Sequence, residues 1–148
     1  MLTVTALARR CDTTPHTVRY YSRMGLLRSQ RHPQNQYRLY PFTEVSRLNF
    51  IRQAKYLGYT LNEIRQILQD AENGESPCPQ VREILQRHIK ENRARLDELL
   101  TLQNRMEQAL QQWSQMQDGV PNGHSVCHLI ETFTDEPDQE QDDGGLLR

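Results

Sequence analysis

One segment constrains the fold of this 148-residue chain more than any other: residues 80–117 carry a narrow apolar stripe at helical spacing. Sampled every three or four residues, seven of its nine positions are apolar or aromatic. A stripe this narrow, kept over about four heptads, is typical of a coiled-coil seam. The alternative, a helix packed within its own subunit, needs more chain to cover the stripe than the remainder supplies. The nine positions are Leu85, Ile89, Asn92, Leu96, Leu99, Gln103, Met106, Leu110 and Trp113.

Two polar residues interrupt this stripe. Asn92 and Gln103 weaken a seam, but a polar residue at such a position fixes the register and the number of partners. The sequence therefore predicts a long dimerisation helix over residues 80–117 and a homodimer as the assembled form.

Charge divides the chain into two unlike halves. Residues 1–60 contain ten Arg and Lys against two Asp and Glu, a net charge of +8, whereas residues 61–148 contain eight against seventeen, a net charge of −9. Cations that are almost all arginine are typical of surfaces that bind phosphates and base edges. A solvated surface that happens to be lopsided is the alternative. The division favours a polyanion as the partner of the N-terminal half.

Composition also bounds the class of protein. No apolar run approaches the roughly 18 residues that span a bilayer, which predicts a soluble protein with no membrane partner. The first residues lack the apolar stretch and cleavage site of a secretory signal, so we expect no export. Cys11, Cys78 and Cys127 are odd in number and far apart, which fits reduced thiols in a cytoplasm better than disulfides.

The N-terminal sequence predicts two short helices joined by a tight turn. The first runs from a cap at Thr3 to Arg10, and the second begins with Thr14 as its cap and Pro15 as its first residue. Gly25 ends the second helix. Two such helices, the second rich in Arg and Tyr, are typical of a helix-turn-helix.

Turn signals divide the rest of the chain. Residues 28–40 have a polar, proline-containing middle and predict a small β-hairpin, or wing. Two helices follow, one from Phe42 to Leu57 and one that opens with a capping box of Thr60 and Glu63. The predicted bounds are 1–72 for a winged helix-turn-helix domain, 73–79 for a linker, 80–117 for the dimerisation helix, 118–133 for a loop with a short helix from Leu129 to Phe133, and 134–148 for an acidic, disordered tail.

Two runs of residues are more specific than these patterns. Residues 14–27, TPHTVRYYSRMGLL, and residues 35–40, NQYRLY, resemble in order the motifs of the MerR family of transcription regulators. The likeness is strong over the N-terminal 70 residues and extends to about residue 133. It implies a mainly α fold: a winged helix-turn-helix DNA-binding domain, a long dimerisation helix paired as an antiparallel coiled coil, and a short C-terminal effector loop.

In that family the second helix enters the major groove and the wing grips the DNA backbone. Thr17, Arg19 and Tyr20 carry over onto the recognition helix, and Tyr37 and Arg38 onto the wing. Arginine can fork onto a guanine edge or a phosphate, whereas Tyr and Thr hydroxyls bond to phosphate oxygens. The full set of predicted DNA-binding residues is Thr14, His16, Thr17, Arg19, Tyr20, Arg23, Arg31, Tyr37 and Arg38.

Other polar or aromatic residues nearby are assigned to structure. Tyr21 and Cys11 are expected in the core. Arg47 and Arg52 are expected as solvated or inter-helix charges rather than base readers, and His88 as a packed or solvated histidine rather than a ligand.

The resemblance also implies a mechanism. Family members bind as dimers to a palindrome between two promoter elements whose spacer is too long for RNA polymerase to use well. Bending and untwisting the DNA can bring those elements onto one face. The expected partners are therefore promoter DNA, RNA polymerase and a second copy of the chain.

A metal effector is implied by likeness to the family's zinc, cadmium, lead and mercury sensors. These use a cysteine at the position of Cys78 and further cysteines in the loop, so Cys78 of one chain could join Cys127 and His124 of the other, with Asp118 and His128 as further candidates. The chain departs from those sensors near the end of the long helix, where residues 118–120 hold no cysteine. Such a donor set favours a mixed site of nitrogen, oxygen and sulfur ligands, for Zn(II) or another thiophilic divalent metal, over the three-thiolate site of a lead or mercury sensor.

Other functions stay open at this point. Cys78 could be a small residue at a helix start and Cys127 a buried loop residue, with a thiol-redox signal, an organic ligand or no effector at all. An enzyme is disfavoured, because Cys127 and His128 are sequence neighbours and neither a phosphate loop nor a carboxylate pair is present. A coiled-coil adaptor that does not bind DNA is the remaining alternative.

Overall fold

The computed structural model describes residues 1–135 and is mainly helical. The chain divides into two compact units, the first ending at Ile89 and the second beginning at Lys90. From residue 136 on, the predicted acidic tail lies outside the described residues. None of the helices within residues 1–135 is both long and apolar enough to cross a bilayer. In chain order the elements are β1 (Leu2–Thr3), α1 (Val4–Arg10), α2 (Pro15–Arg23), β2 (Gln30–Arg31), β3 (Arg38–Tyr40), α3 (Thr43–Tyr56), α4 (Leu61–Glu72), α5 (Cys78–Trp113) and α6 (His128–Glu131).

The predicted helix-turn-helix is confirmed in α1 and α2. Thr3 caps α1 by accepting a hydrogen bond from the Ala6 amide, and Thr14 caps α2 in the same way for the Thr17 amide. Gly25 follows α2 with φ of 76°, a left-handed conformation that side chains with a Cβ rarely adopt. Local capping residues therefore set the start of both helices and the end of α2.

A three-stranded antiparallel sheet in the order β1-β3-β2 contains the predicted wing. Strands β2 and β3 form the hairpin, with Gln30 opposite Leu39. Strand β1 was not predicted, because two residues cannot show a period; Leu2 lies opposite Tyr40 and Thr3 opposite Leu39. The wing is thus anchored along its inner strand to the start of the chain.

One hydrophobic core joins these elements to α3, α4 and the start of α5. Tyr21 and Cys11 are buried, as predicted, and burial raises the pKa of the Cys11 thiol against the lowering effect of Arg52. Ile84 of α5 belongs to the same core, and the Tyr59 hydroxyl donates to the Val81 carbonyl at 2.8 Å. The largest fully buried side chains are Tyr40, Leu7, Leu26, Leu48, Ile51, Ile64 and Val18.

The long helix α5 differs in its bounds from the predicted 80–117. It begins two residues earlier, at Cys78, because a proline at position 79 falls in the first turn, where a helix needs no amide donor. It ends four residues earlier, at Trp113, whose indole Nε1 donates to the Leu129 carbonyl at 2.8 Å. The linker after α4 is correspondingly shorter than the predicted 73–79.

The second unit exposes the predicted apolar stripe of α5. Four of its large residues here are between 56% and 68% exposed, far more than in a packed helix, whereas Trp113 at the end of α5 is half-buried. The short helix expected from Leu129 to Phe133 is present as α6, which begins one residue earlier and ends at Glu131. The exposed members of the stripe in this unit are Leu96, Leu99, Met106 and Leu110.

Candidate nucleic-acid interface

Helix α2 presents a polar and cationic face because its apolar residues are used for anchoring. Val18 and Tyr21 are buried, whereas Arg19, Tyr20 and Arg23 are exposed. The Tyr20 ring lies 6.0 Å from the Arg23 guanidinium carbon, a cation–π distance. The predictions that Tyr21 is a core residue and that Tyr20 lies at the surface are both confirmed.

A groove of about 700 Å³ separates this face of α2 from the wing. Four of the nine predicted DNA-binding residues line it: Arg19 and Arg23 from α2, and Tyr37 and Arg38 from the wing. Three of the four are arginines, so the groove is a concentrated cationic surface suited to phosphates. Its remaining lining residues are Thr3, Val4, Thr5 and Gln36.

The wing is braced by its own polar side chains. Arg31 donates to the Gln36 carbonyl at 3.0 Å, and Arg38 donates to the Ser29 hydroxyl at 2.9 Å. Tyr37, in the hairpin loop, is 72% exposed. Arg31 thus stabilises the hairpin loop while remaining exposed. Tyr37 projects from the same loop into solvent.

The remaining predicted DNA-binding residues lie near the start of α2. His16 is exposed and Thr17 half-buried. The Thr14 hydroxyl accepts from the Thr17 amide at 3.2 Å and lies 3.0 Å from the Thr17 hydroxyl. Thr14 therefore has a helix-capping role in this structure.

A second open cleft, of about 680 Å³, lies beside Thr17 and includes residues that the sequence reasoning missed. Lys55 and Tyr56, at the end of α3, line it, and Tyr56 is 86% exposed. The signal available in the sequence was an aromatic residue next to a lysine. The cleft adds a cation and a phenolic hydroxyl beside α2.

Arg47 and Arg52 join helices, as predicted. Arg47 donates to the Leu26 carbonyl at 2.6 Å and pairs with Glu72 at 2.8 Å. Arg52 donates to the Cys11 carbonyl in the turn between α1 and α2. Their guanidinium groups orient the elements that carry the cationic face.

The predicted effector residues are distributed over both units. Cys78 is exposed at the start of α5 in the first unit, while Cys127 in the second is half-buried and precedes α6 as its N-cap. His124 and Asp118 are exposed, and His128 is the first residue of α6. Within residues 1–135 of a single chain, no three histidine, cysteine or carboxylate side chains form a metal-binding group.

Two further residues shape the loop before α6. Glu131 accepts from the Ser125 hydroxyl at 2.5 Å and from the Val126 amide at 2.8 Å, and these hydrogen bonds lower its pKa. Gly119 lies against His128: a Cβ at position 119 would be 2.5 Å from His128 Nδ1. The sequence reasoning missed both, since neither contact has a local pattern.

The chain matches two related families and full-length relatives. Residues 2–71 match the family described as MerR HTH family regulatory protein, and residues 45–109 match MerR, DNA binding. The regulator ZntR of Escherichia coli (strain K12) is 30% identical over 134 residues, covering 90% of this chain and 92% of that protein. The mercuric resistance operon regulatory protein of Bacillus cereus is 30% identical over 129 residues, covering 86% and 92%.

A solved structure gives the same fold. The transcription regulator PbrR691 of Ralstonia metallidurans CH34, in complex with lead(II), aligns with a TM-score of 0.69 at 27% identity. The alignment covers 90% of this chain and all of that one.

Proposed function

Because this chain belongs to the MerR family of helix-turn-helix regulators, we propose that it is a homodimeric, metal-responsive transcriptional activator. It binds a palindromic promoter with an overlong spacer and activates RNA polymerase by distorting the DNA. The observation that carries the proposal is the groove in which Arg19 and Arg23 face Tyr37 and Arg38.

The groove supports DNA binding by two elements at once. A recognition helix that enters the major groove brings its wing next to the flanking backbone, and the arginines between them can reach phosphates or guanine edges. Lys55 and Tyr56 extend the same interface past Thr17, where they would contact backbone rather than bases. The DNA-binding set is thus the predicted residues together with these two.

The exposed stripe of α5 supports the homodimer. Leu96, Leu99, Met106 and Leu110 expose more than half of their surface in a single chain. Full burial of one such side chain is worth about 1.5–3 kcal/mol, so the stripe strongly favours a second copy. Two copies also suit a palindromic operator, because a two-fold protein matches a two-fold site.

DNA distortion supplies the activating step. Bending or untwisting the spacer changes the angle between the two promoter elements, so that polymerase can engage both. The deformation has an elastic cost that the phosphate contacts of the two DNA-binding units of a dimer offset.

The donor set fits a thiophilic divalent metal, with Zn(II) as the leading candidate. Cys78, Cys127 and His124, with Asp118 and His128 as further ligands, supply the thiolates and imidazoles that zinc binds. No three of these donors converge within the described part of one chain, so the site requires donors from both subunits. Related proteins named for a mercuric resistance operon and crystallised with lead(II) support a metal effector.

A thiol-redox or small-molecule regulator on the same scaffold is the second candidate. It is favoured by the exposure of Cys78 and the partial exposure of Cys127, which leave both thiols accessible to oxidants. In that case oxidation, rather than metal, would change promoter activity.

Metal analysis of the purified protein separates the candidates. After equal exposure to Zn, Cd, Pb, Hg and Cu(I), the wild type should retain a divalent metal, and Cys78→Ser and Cys127→Ser should each lose it. Cys11→Ala, which removes a buried thiol elsewhere, should retain it. Retention of metal by both serine variants, or retention of none by the wild type, would refute the metal site.

Transcription assays test the activation step. An operator is first selected from random-sequence duplexes by the wild-type protein and then placed in a promoter with a lengthened spacer. Activation should require the bound metal and should disappear when the spacer is shortened to the length that polymerase uses unaided. Equal activation at both lengths would rule out distortion.

A further inference from the structure

A buried hydrogen bond connects the recognition helix to the wing. The Tyr40 hydroxyl lies 2.5 Å from the Ser22 hydroxyl, and Ser22 itself donates to the Val18 carbonyl at 2.9 Å. Because the Ser22 proton is used in that second bond, Tyr40 is the donor to Ser22. Tyr40 is fully buried and Ser22 is 9% exposed, so water does not compete for either hydroxyl.

The position of this bond relates it to the DNA-binding groove. Ser22 immediately precedes Arg23 on α2, and Tyr40 lies two residues after Arg38 at the end of β3. The bond therefore links the two backbone segments that carry the arginines of the groove. None of the lining residues of the groove supplies this connection.

We propose that Ser22 and Tyr40 form a positioning pair that sets the distance between α2 and the wing and so determines operator selectivity. Apolar packing resists separation but is non-directional, so it tolerates sliding of one element over another. A hydrogen bond weakens steeply with changes in distance and angle, and a buried one that breaks leaves two unsatisfied groups. The inference rests on the proposed DNA binding by α2 and the wing.

The test variant is Tyr40→Phe, which removes one oxygen and keeps the ring. The probes are the duplex selected by the wild-type protein and a scrambled duplex of the same composition. We expect the ratio of the two affinities to fall by about five- to tenfold, the order expected from a lost buried hydrogen bond. The affinity should also fall less steeply with salt: the slope of log affinity against log salt should become shallower by about one for each phosphate contact that the displaced wing loses.

Tyr59→Phe is the matched control. Tyr59 is also buried, and its hydroxyl makes one hydrogen bond of 2.8 Å to Val81, away from the groove. Both variants therefore lose a buried hydroxyl, but only Tyr40→Phe removes a hydrogen bond between α2 and the wing. Measured at a temperature where melting curves show every protein folded, Tyr59→Phe should keep the wild-type selectivity and salt slope.

A second substitution, at Ser22, allows a double-mutant cycle between the two hydroxyls. Ser22→Ala leaves the Tyr40 hydroxyl buried without its partner and should reduce selectivity at least as much as Tyr40→Phe. The double variant should resemble Tyr40→Phe in selectivity rather than sum the two losses, because both changes break the bond between Ser22 and Tyr40. The other bond that Ser22→Ala removes, to Val18, lies within α2.

The outcomes separate this inference from the DNA-binding proposal. If the wild type selects an operator but Tyr40→Phe and Ser22→Ala retain its selectivity and salt slope, the positioning pair is wrong. Equal losses in Tyr59→Phe would likewise refute it, since general destabilisation would then account for the effect. If the wild type selects no sequence, the DNA-binding proposal fails and this inference with it.

Discussion

Nε2 of His88 lies 2.9 Å from Oε2 of Glu63, which joins the third turn of α5 to the first turn of α4. The same carboxylate accepts from the Thr60 amide at 2.8 Å, completing the capping box, and from Arg87 at 2.7 Å. His88 is thus a packed histidine, as predicted from the sequence. Glu63 both caps one helix and anchors another, a role that its capping-box spacing alone does not reveal.

This arrangement predicts an acid-sensitive first unit. Burial by itself raises the pKa of Glu63, but hydrogen bonds from His88 and Thr60, with the charge of His88, outweigh it and hold the pKa below its ordinary value. The stabilisation is therefore complete above the ordinary glutamic acid pKa and is lost as the pH falls through the lowered one.

Substituting the carboxylate tests this dependence. Glu63→Gln should lower the free energy of unfolding at neutral pH by about 1 kcal/mol and flatten its decline in acid. Chemical denaturation at a series of pH values measures both. Glu75→Gln, in the exposed linker, is the control and should keep the wild-type pH dependence. If the free energy of unfolding of Glu63→Gln declined in acid as steeply as that of the wild type, Glu63 would not be the source of the acid sensitivity.

The exposed stripe of α5 predicts the effect of a charge within it. Leu99, which is 61% exposed in the single chain, becomes buried in the proposed dimer, so Leu99→Glu should shift the protein to monomer. Sedimentation velocity measures the shift. Ala94→Glu, about half a helical turn away from the stripe, should remain dimeric. Dimerisation of Leu99→Glu with wild-type affinity would place the interface elsewhere.

The groove predicts that its arginines contribute to operator affinity and that exposed arginines elsewhere do not. Arg19→Ala should weaken binding to the selected operator by about 1–3 kcal/mol, because a forked contact to a base or phosphate is lost. Arg82→Ala, an exposed arginine on α5, should leave it unchanged. Fluorescence anisotropy titrations at two salt concentrations measure the operator affinity of each variant. If both substitutions weakened binding equally, binding would depend on the total positive charge of the protein rather than on the groove.

Much of the first unit was predictable because its signals are local. Thr14, Pro15 and Gly25 specify the start and end of α2 within twelve residues, and Thr60 with Glu63 specifies the start of α4. These residues act on the backbone beside them, so the sequence order alone carries their effect.

What the sequence could not predict depends on contacts between distant residues. Ser22 and Tyr40 are 18 residues apart, and neither has a neighbour pattern that indicates the bond. The end of α5 at Trp113 likewise coincides with a hydrogen bond to Leu129, 16 residues later. Four of the eight residues that line the groove were predicted from the sequence, but the hydrogen bond between α2 and the wing was not.

The contact between Gly119 and His128 predicts how the loop before α6 responds to a single methyl group. In Gly119→Ala the new Cβ would lie 2.5 Å from Nδ1 and 2.8 Å from Cε1 of the imidazole, so the ring must move. Gly123→Ala is the matched control in the same loop, because nothing lies within 4 Å of a Cβ there.

If His128 is a ligand of the proposed metal, Gly119→Ala should weaken Zn(II) binding by about tenfold, the order found when supporting contacts of a metal site are lost. Competition with a chromophoric chelator measures the affinity, and the imidazole NMR resonances report the movement of the ring. Gly123→Ala should match the wild type in both. A displaced ring with unchanged zinc affinity would remove His128 from the ligand set and leave Cys78, Cys127 and His124 with Asp118 as the fourth donor.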